Sequence, residues 1–144
     1  MRVLRKRNLL AAAALLGAAA VCGAEQTFKQ IGVLPDAYYA HALEATAGHL
    51  YHLGGINVTD GIFGGDKVFY AKVLSPGELG PWSPGEPLPV PVFYHASAAW
   101  NGTLYVIGGY YYQDGAFVIS NAVYYSRIQS DGRPGPWTRG ADLP

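Results

Sequence analysis

Four histidines are the side chains of this sequence best suited to acid–base chemistry near neutral pH. His49 and His52 are three residues apart in one apolar stretch, and a strand places such positions on opposite faces, so they do not form a ligand pair. His41 and His95 stand in matching contexts, which favours a repeated packing or hydrogen-bonding role over a metal site. No serine–histidine–aspartate order, phosphate-binding glycine loop or zinc-ligand spacing is present. The sequence therefore predicts no catalytic residue, no metal site and no cofactor.

Three consecutive tyrosines form the most suggestive binding element. Tyr110, Tyr111 and Tyr112 stand in a segment that we interpret as a loop, and a loop exposing several aromatic rings suits contact with a sugar or a protein. In the alternative interpretation, Tyr110 or Tyr112 continues the preceding strand and packs inward. Asp60-Gly61 and Asp114-Gly115 admit a calcium interpretation, although Asp-Gly is first of all a turn signal.

The first residues are typical of a targeting segment rather than of the fold. A basic cluster at residues 2–7 precedes the apolar run Leu9–Val21, which is shorter than a membrane span and fits a signal-peptide core. Small residues at Cys22 and Ala24 predict cleavage after Ala24, and hence export to the periplasm, the cell surface or the exterior. The alternatives are a buried alanine-rich helix and a lipid anchor on Cys22, against which Val21 argues.

Composition and charge narrow the class of protein and its partners. The chain has 144 residues with 19 Gly, 10 Pro and 11 Tyr, which favours an all-β fold. Its 10 basic and 10 acidic residues become six against ten, a net charge of −4, once residues 1–24 are removed. Such a chain lacks the excess positive charge with which proteins bind the phosphate backbone of nucleic acids. Because Cys22 is the one cysteine, the mature chain has no disulfide.

The sequence contains an internal repeat. Residues 41–55 align with residues 95–109 at an offset of 54, and residues 68–89 align with residues 123–144 at an offset of 55. One residue is therefore inserted in the loop between the two aligned blocks, while the strands stay in step, as expected of a structural repeat.

Each repeat divides into four short strands joined by glycine- and proline-rich turns, one of which is the hairpin signal Asn101-Gly102. The segments Ile56–Asp66 and Tyr110–Asn121 are predicted as loops that share one face with the connections between repeats. The predicted strands are Tyr38–Thr46, Leu50–Gly55, Lys67–Leu74 and Pro81–Pro84, then Phe93–Trp100, Leu104–Gly109, Ala122–Gln129 and Pro136–Arg139.

In both copies an apolar strand ends in Gly-Gly and is followed by a spaced Tyr, a Trp and Leu-Pro. This order resembles the kelch repeat of the galactose-oxidase-like propeller superfamily. The resemblance implies an all-β propeller fragment: a helical signal segment, one N-terminal strand and two four-stranded antiparallel blades. Residues 25–35 would be the tail of an earlier blade or a closing strand, with repeats at 36–89 and 90–144. The motif residues, all predicted to be structural, are Gly54, Gly55, Tyr70, Trp82, Gly108, Gly109, Tyr125 and Trp137.

Propellers close with about 4–8 blades, so further blades or copies are needed for a ring. We expect an exported scaffold that binds a protein or a carbohydrate, with no catalysis of its own. The alternative that the resemblance allows is part of a sugar-active enzyme, similar to a sialic-acid epimerase or a sugar oxidase, whose site lies in missing blades. The oxidase branch needs a cysteine, which the mature chain lacks. The arginines Arg127, Arg133 and Arg139 fall on or near outer strands, which gives the epimerase branch little support.

Overall fold

A computed structural model of the chain describes residues 29–57, Thr59 and residues 65–144. Within these residues the protein is all-β, with thirteen strands and no helix. The signal segment and Phe28 lie outside the described residues. The strands are β1 Tyr38–Tyr39, β2 Ala42–Thr46, β3 His49–Leu53, β4 Ile56–Asn57, β5 Val68–Ser75, β6 Glu78–Leu79, β7 Ser83–Pro84, β8 Ala96–Trp100, β9 Thr103–Ile107, β10 Tyr110–Gln113, β11 Ala116–Ile119, β12 Val123–Ile128 and β13 Pro134–Arg139.

Two antiparallel sheets form the two predicted propeller blades. The first blade has the order β2-β3-β5, and both β6 and β7 pair with β5 in the outermost position. The second blade has the order β8-β9-β12-β13. The registers correspond, because Tyr51 pairs with Tyr70 in the first blade as Tyr105 pairs with Tyr125 in the second. The fold class and the two four-stranded blades are confirmed.

One hydrophobic core lies between the blades. It forms because alternate residues of each inner strand face the neighbouring sheet, as in face-to-face sheet packing. Two hydrogen bonds cross the same boundary: the Tyr51 hydroxyl donates to the Gly132 carbonyl at 2.9 Å, and Trp137 Nε1 donates to the Glu86 carbonyl at 2.9 Å. The buried members of the core are Tyr51, Leu53, Val68, Leu88, Val92, Leu104 and Val106.

The second glycine of each pair lets its strand approach the start of the first strand more closely than any residue with a side chain could. Gly55 has a φ of 95° and Gly109 a φ of 90°, both in the left-handed region. A Cβ on Gly55 would lie 2.6 Å from the Cβ of His41, and one on Gly109 would lie 2.7 Å from the Cβ of His95. The second glycine of each pair is therefore held against the residue that leads into the first strand of its own blade.

Three sequence predictions are corrected by the structure. The predicted loop Tyr110–Asn121 is mostly a hairpin, β10 with β11, because its aromatic residues pair across the strands and Asp114-Gly115 supplies the tight turn. The predicted first strands are interrupted at Ala40 and Tyr94, whose left-handed φ values of 54° and 50° bend the chain. The predicted N-terminal strand is absent from residues 29–35, because no neighbouring strand pairs with them there.

Residues 29–35 instead lie against the outer part of the first blade. A Cβ on Gly32 would be 3.2 Å from Leu79 and 3.8 Å from Trp82 Nε1. Gly32 precedes Glu86 by the repeat offset of 54, and the Glu86 carbonyl is the partner of the matching Trp137. The segment thus takes the place beside Trp82 that the end of the first repeat takes beside Trp137. No helix among the described residues has the length and apolar character required to cross a bilayer.

Replacement of Gly109 by Ala is expected to destabilise the fold by about 3 kcal/mol or more, because the new methyl group meets His95 and Phe93 backbone atoms in a left-handed position. Gly102→Ala is the matched control, since Gly102 has a φ of 71° but nothing within 4 Å of its added Cβ. We expect the control to lose about 1 kcal/mol. Urea unfolding measures both, and equal losses would contradict the close approach.

Replacement of Tyr51 by Phe is expected to lower the free energy of unfolding by about 1–2 kcal/mol, because the buried Gly132 carbonyl loses its donor. The matching change in the second blade, Tyr105→Phe, keeps the ring contact with Tyr125 at a half-buried site and is expected to cost less than half as much. Thermal or urea unfolding of the two variants provides the comparison. A larger loss in Tyr105→Phe would be evidence against an inter-blade role for the Tyr51 hydroxyl.

Candidate functional site

An aromatic pocket of about 390 Å³ opens on the face that carries the connections between blades. Phe93 lies at its base, 5% exposed, with its ring stacked on Tyr110 at a centroid distance of 6.0 Å and edge-on to Phe117 at 5.8 Å. The surrounding rings are more open, and Tyr94 and Phe117 are 66% and 57% exposed. The lining residues of the aromatic pocket are Tyr39, Ile56, Phe93, Tyr94, Tyr110 and Phe117.

The backbone brings the aromatic pocket together from both blades. Phe93 and Tyr110 exchange two backbone hydrogen bonds, of 3.0 and 2.9 Å, which fix the connection to the start of the β10–β11 hairpin. Tyr94 N–H donates to the Ala40 carbonyl at 3.0 Å and so links the bend of the second blade to the bend of the first. Backbone contacts therefore position Tyr39 and Tyr94, and the Tyr94 ring also contacts the Phe93 ring at a centroid distance of 5.7 Å.

The three predicted binding tyrosines are divided between two sides of the hairpin. Tyr110 and Tyr112 are 39% and 43% exposed and lie on one side, where the Tyr112 ring contacts Phe117 at 5.2 Å. Tyr111 points to the opposite side of β10 and is half-buried. Tyr110 lines the aromatic pocket, whereas Tyr111 and Tyr112 line a neighbouring cavity.

The neighbouring cavity, here the polar pocket, has a volume of about 420 Å³. Two side-chain amides, Gln113 and Asn121, and the guanidinium of Arg139 contribute to its wall. Asp142 binds that guanidinium through both of its oxygens, at 2.8 to 3.1 Å, and these hydrogen bonds raise the pKa of Arg139. The lining residues are Val90, Pro91, Tyr111, Tyr112, Gln113, Ile119, Ser120, Asn121, Ala122, Tyr124 and Arg139.

Three histidines lie near one another, and two of them adjoin the bends that carry Tyr39 and Tyr94. The His41 and His52 rings are 4.7 Å apart, and the His95 ring approaches Gly54, where an added Cβ would be 3.0 Å from its Cε1. His52 is fully buried and His95 is 9% exposed. Within the described part of the chain, neither ring nitrogen of His52 or His95 has a hydrogen-bond partner, nor does Nδ1 of His41.

Burial holds the histidine cluster, His41, His52 and His95, in its neutral form. Loss of hydration lowers the pKa of His52 and of His95 to about 4, and repulsion from neighbouring imidazoles adds to the effect. The pKa of His41 is also lowered by burial. The Leu53 backbone near His95 offsets a small part of the shift. All three rings are therefore uncharged at neutral pH.

The sequence did not predict this cluster. The repetition of His41 and His95 favours a packing or hydrogen-bonding role for them, and His52 stands in the apolar strand where the second repeat has Val106. The sequence did contain a signal for the cluster, because His52 is a polar residue aligned with Val106, which is buried in the second blade. In the described ranges, no group of three or more His, Cys, Asp or Glu residues has an arrangement that could hold a metal ion.

The motif residues predicted to be structural occupy packed or strained positions. Gly54, Gly55, Gly108 and Gly109 all have positive φ. Tyr70 and Trp137 pack against the core between the blades, and Trp82 is half-buried at the outer edge of the first blade. Tyr125 is 39% exposed on the second blade. None of these residues lines the aromatic or the polar pocket.

Comparison with known proteins gives a likeness of fold. No protein-family model matches the chain, and no curated protein matches it. A solved structure described as "Structure of YjhT" superposes on 76% of this chain with a TM-score of 0.59 and 18% sequence identity. The match covers 29% of that protein, so this chain spans less than a third of its length. At this identity the likeness shows the fold alone, which is that of propeller blades.

Acid is expected to weaken the fold through the histidine cluster. His52 titrates near pH 6.5 in the unfolded chain and near 4 in the folded chain, so its stabilising contribution is complete above pH 6.5 and is lost as the pH falls towards 4. Between pH 7.5 and 4.5 we expect His52→Val to lose about 2 kcal/mol less stability than the unchanged chain. Urea unfolding at both pH values measures this difference. Identical pH dependence in the two proteins would show that burial does not lower the pKa of His52.

Proposed function

We propose that this chain is part of an exported kelch-type propeller that binds carbohydrate on the face formed by the aromatic and polar pockets. The observation that carries the proposal is the placement of exposed aromatic rings beside a cavity lined by amide, hydroxyl and guanidinium groups. Ligand sites generally combine an apolar wall with a few polar groups that fix orientation, in cavities of about this size.

The chemistry of a sugar matches this pair of surfaces. A pyranose presents C–H groups on its faces, and these carry slight positive charge that the negative face of an aromatic ring attracts. Tyr94 and Phe117 offer such ring faces at the open rim of the aromatic pocket. The hydroxyl groups of the sugar both donate and accept, as do the side-chain amides of Gln113 and Asn121 in the polar pocket.

The compartment is part of the proposal and is supported by sequence. The basic start, the apolar run Leu9–Val21 and the small residues before Glu25 fit a secretory signal. A carbohydrate on a cell surface or outside the cell is a ligand that an exported chain would meet. The kelch assignment is supported by the two copies of the Gly-Gly, Tyr, Trp and Leu-Pro motif and by the shared blade fold.

Replacement of Phe117 or Tyr110 by Ala is expected to weaken glycan binding at least tenfold, because each change removes a ring from the aromatic pocket. A tenfold change corresponds to about 1.4 kcal/mol. Tyr125→Ala is the matched control, since Tyr125 and Tyr110 are both 39% exposed but Tyr125 lies outside both pockets. The control is expected to bind as the unchanged protein does. An array of neutral and acidic glycans, followed by calorimetry on the best ligand, provides the measurement.

Four outcomes would contradict the proposal. No saturable binding anywhere on the array would remove carbohydrate as the ligand, and capture of a protein through the same rings would assign the surface to protein recognition. Chemical change of the bound sugar, followed by ¹H NMR, would favour the sugar-active enzyme over a binding scaffold. Equal loss of affinity in Tyr110→Ala and Tyr125→Ala would show that the aromatic pocket is not the site.

A further inference from the structure

Two bends of the backbone carry both a pocket residue and a member of the histidine cluster. In the first blade, Ala40 in its left-handed conformation separates Tyr39 from His41. In the second blade, His95 directly follows Tyr94, which is itself left-handed with a φ of 50°. The hydrogen bond from Tyr94 N–H to the Ala40 carbonyl joins the two bends. Displacement of either histidine must therefore move a tyrosine at the rim of the aromatic pocket.

Rigid contacts leave the histidines little room to move by themselves. Gly55 lies against the Cα and Cβ of His41, and Gly109 lies against the Cα and Cβ of His95. His52 projects from β3, one residue before its end, and its ring packs against the Tyr38 ring at 4.5 Å and the Phe69 ring at 5.7 Å. These contacts hold the backbone of His41 and His95 and the ring of His52, so a force that separates the rings acts on the bends.

Within the described residues, no charged side chain of β2, β3 or β5 lies on the sheet face that His52 occupies, and Lys67, which precedes β5, is exposed to solvent. Its cross-strand neighbours are Leu43 on β2 and Phe69 on β5. Glu44 points to the other face of β2, where it accepts a hydrogen bond from Ser97 of the second blade at 2.5 Å. Lys72 likewise lies on the opposite face of β5 and is exposed.

The groups that face the cluster are accordingly few. β1 contributes the phenol of Tyr38, and the segments leading into β2 and β8 contribute His41 and His95 themselves. Among the described residues, no carboxylate perturbs the pKa of any of the three histidines. A proton that enters the cluster therefore finds a second imidazole beside it and no opposite charge.

We propose that the histidine cluster is an acid-operated gate of the aromatic pocket: protonation drives His52, His41 and His95 apart, shifts the two bends and disperses the rim formed by Tyr39 and Tyr94. A buried charge without a partner is costly, so the protonated rings move towards water. The bends are the segments that yield, because their backbone is already in a conformation that costs free energy in non-glycine residues. The gate acts on the surface assigned above to carbohydrate, and in that respect it rests on the proposed function.

The direction of the response follows from the neutral state of the rings. Burial sets the pKa of His52 and His95 to about 4, below the ordinary value of 6.5, so the pocket is assembled at neutral pH and opens as the pH falls from 6.5 towards 4. Opening therefore precedes or accompanies uptake of the first proton. A ligand that fills the assembled pocket opposes protonation, because it binds the neutral state better.

Fluorine NMR of the protein labelled with 3-fluorotyrosine tests the gate without any ligand. The signals of Tyr39, Tyr94 and the reference Tyr125 are assigned from single Tyr→Phe variants, and spectra are recorded from pH 7.5 to pH 4. We expect the Tyr39 and Tyr94 signals to shift together below pH 6.5 while Tyr125, on the far strands of the second blade, stays unchanged. In His52→Val, which places in β3 the residue found at Val106, the transition should move at least one pH unit lower or disappear.

A second variant tests the gate from the other blade. His95→Gln removes a proton acceptor from the other blade and is expected to shift the transition in the same direction as His52→Val. If His52→Val folds poorly, His95→Gln provides the test. Shifts of all three tyrosines at one pH would overturn the gate, because they would report global unfolding. Static Tyr39 and Tyr94 signals during histidine titration would overturn it as well.

Any glycan found on the array serves as the probe for the functional consequence. Affinity for that glycan should fall at least tenfold between pH 7.5 and 4.5 in the unchanged protein and by less than threefold in His52→Val. Equal losses in both proteins would overturn gating of the binding site. Failure of every glycan to bind would contradict the proposed function while the fluorine signals still report whether the gate exists.

Discussion

The contact between a left-handed glycine and the backbone of the first strand determines the arrangement of each blade. Gly55 meets His41 and Gly109 meets His95 at distances that leave no space for a side chain. The second strand can therefore turn away from its sheet close to the bend that begins the first strand. That turn sends the chain into β4 in one blade and into the β10–β11 hairpin in the other. The aromatic pocket lies where these segments meet the connection between blades, so its geometry depends on two glycines that do not line it.

Much of the fold was predictable because the repeat gives two independent views of each strand. The offset of 54 or 55 residues located every long strand to within a few residues, and the alternation of apolar residues located the core between the blades. Residues 29–35 do not form the predicted strand, because a sequence match with the outer strand cannot supply a hydrogen-bonding neighbour, although Gly32 lies beside Trp82 as Glu86 lies beside Trp137. The hairpin after Gly109 was missed because three tyrosines and an Asp-Gly turn were interpreted as exposed loop chemistry, although aromatic residues and Asp-Gly also suit a paired strand.

The candidate site was predictable only in part. Tyr110 was identified, but its partners Tyr39, Phe93, Tyr94 and Phe117 come from three other segments, and nothing local in the sequence indicates that they converge. The histidine cluster was missed for a related reason. Its members belong to two blades and three segments, and equivalence between His41 and His95 suggested a role inside each blade. What brings them together is the hydrogen bond between Tyr94 and Ala40, which depends on two unusual backbone conformations.

The single core shared by the two blades has a consequence for what counts as a unit in this protein. Tyr51, Leu53 and Val68 are covered by Leu104 and Val106 of the other repeat, so neither repeat encloses a core by itself. The unit that is duplicated in the sequence is therefore smaller than the unit that folds. A blade added or removed by recombination would change the cooperativity of the whole array, because stability resides at the junctions between neighbours.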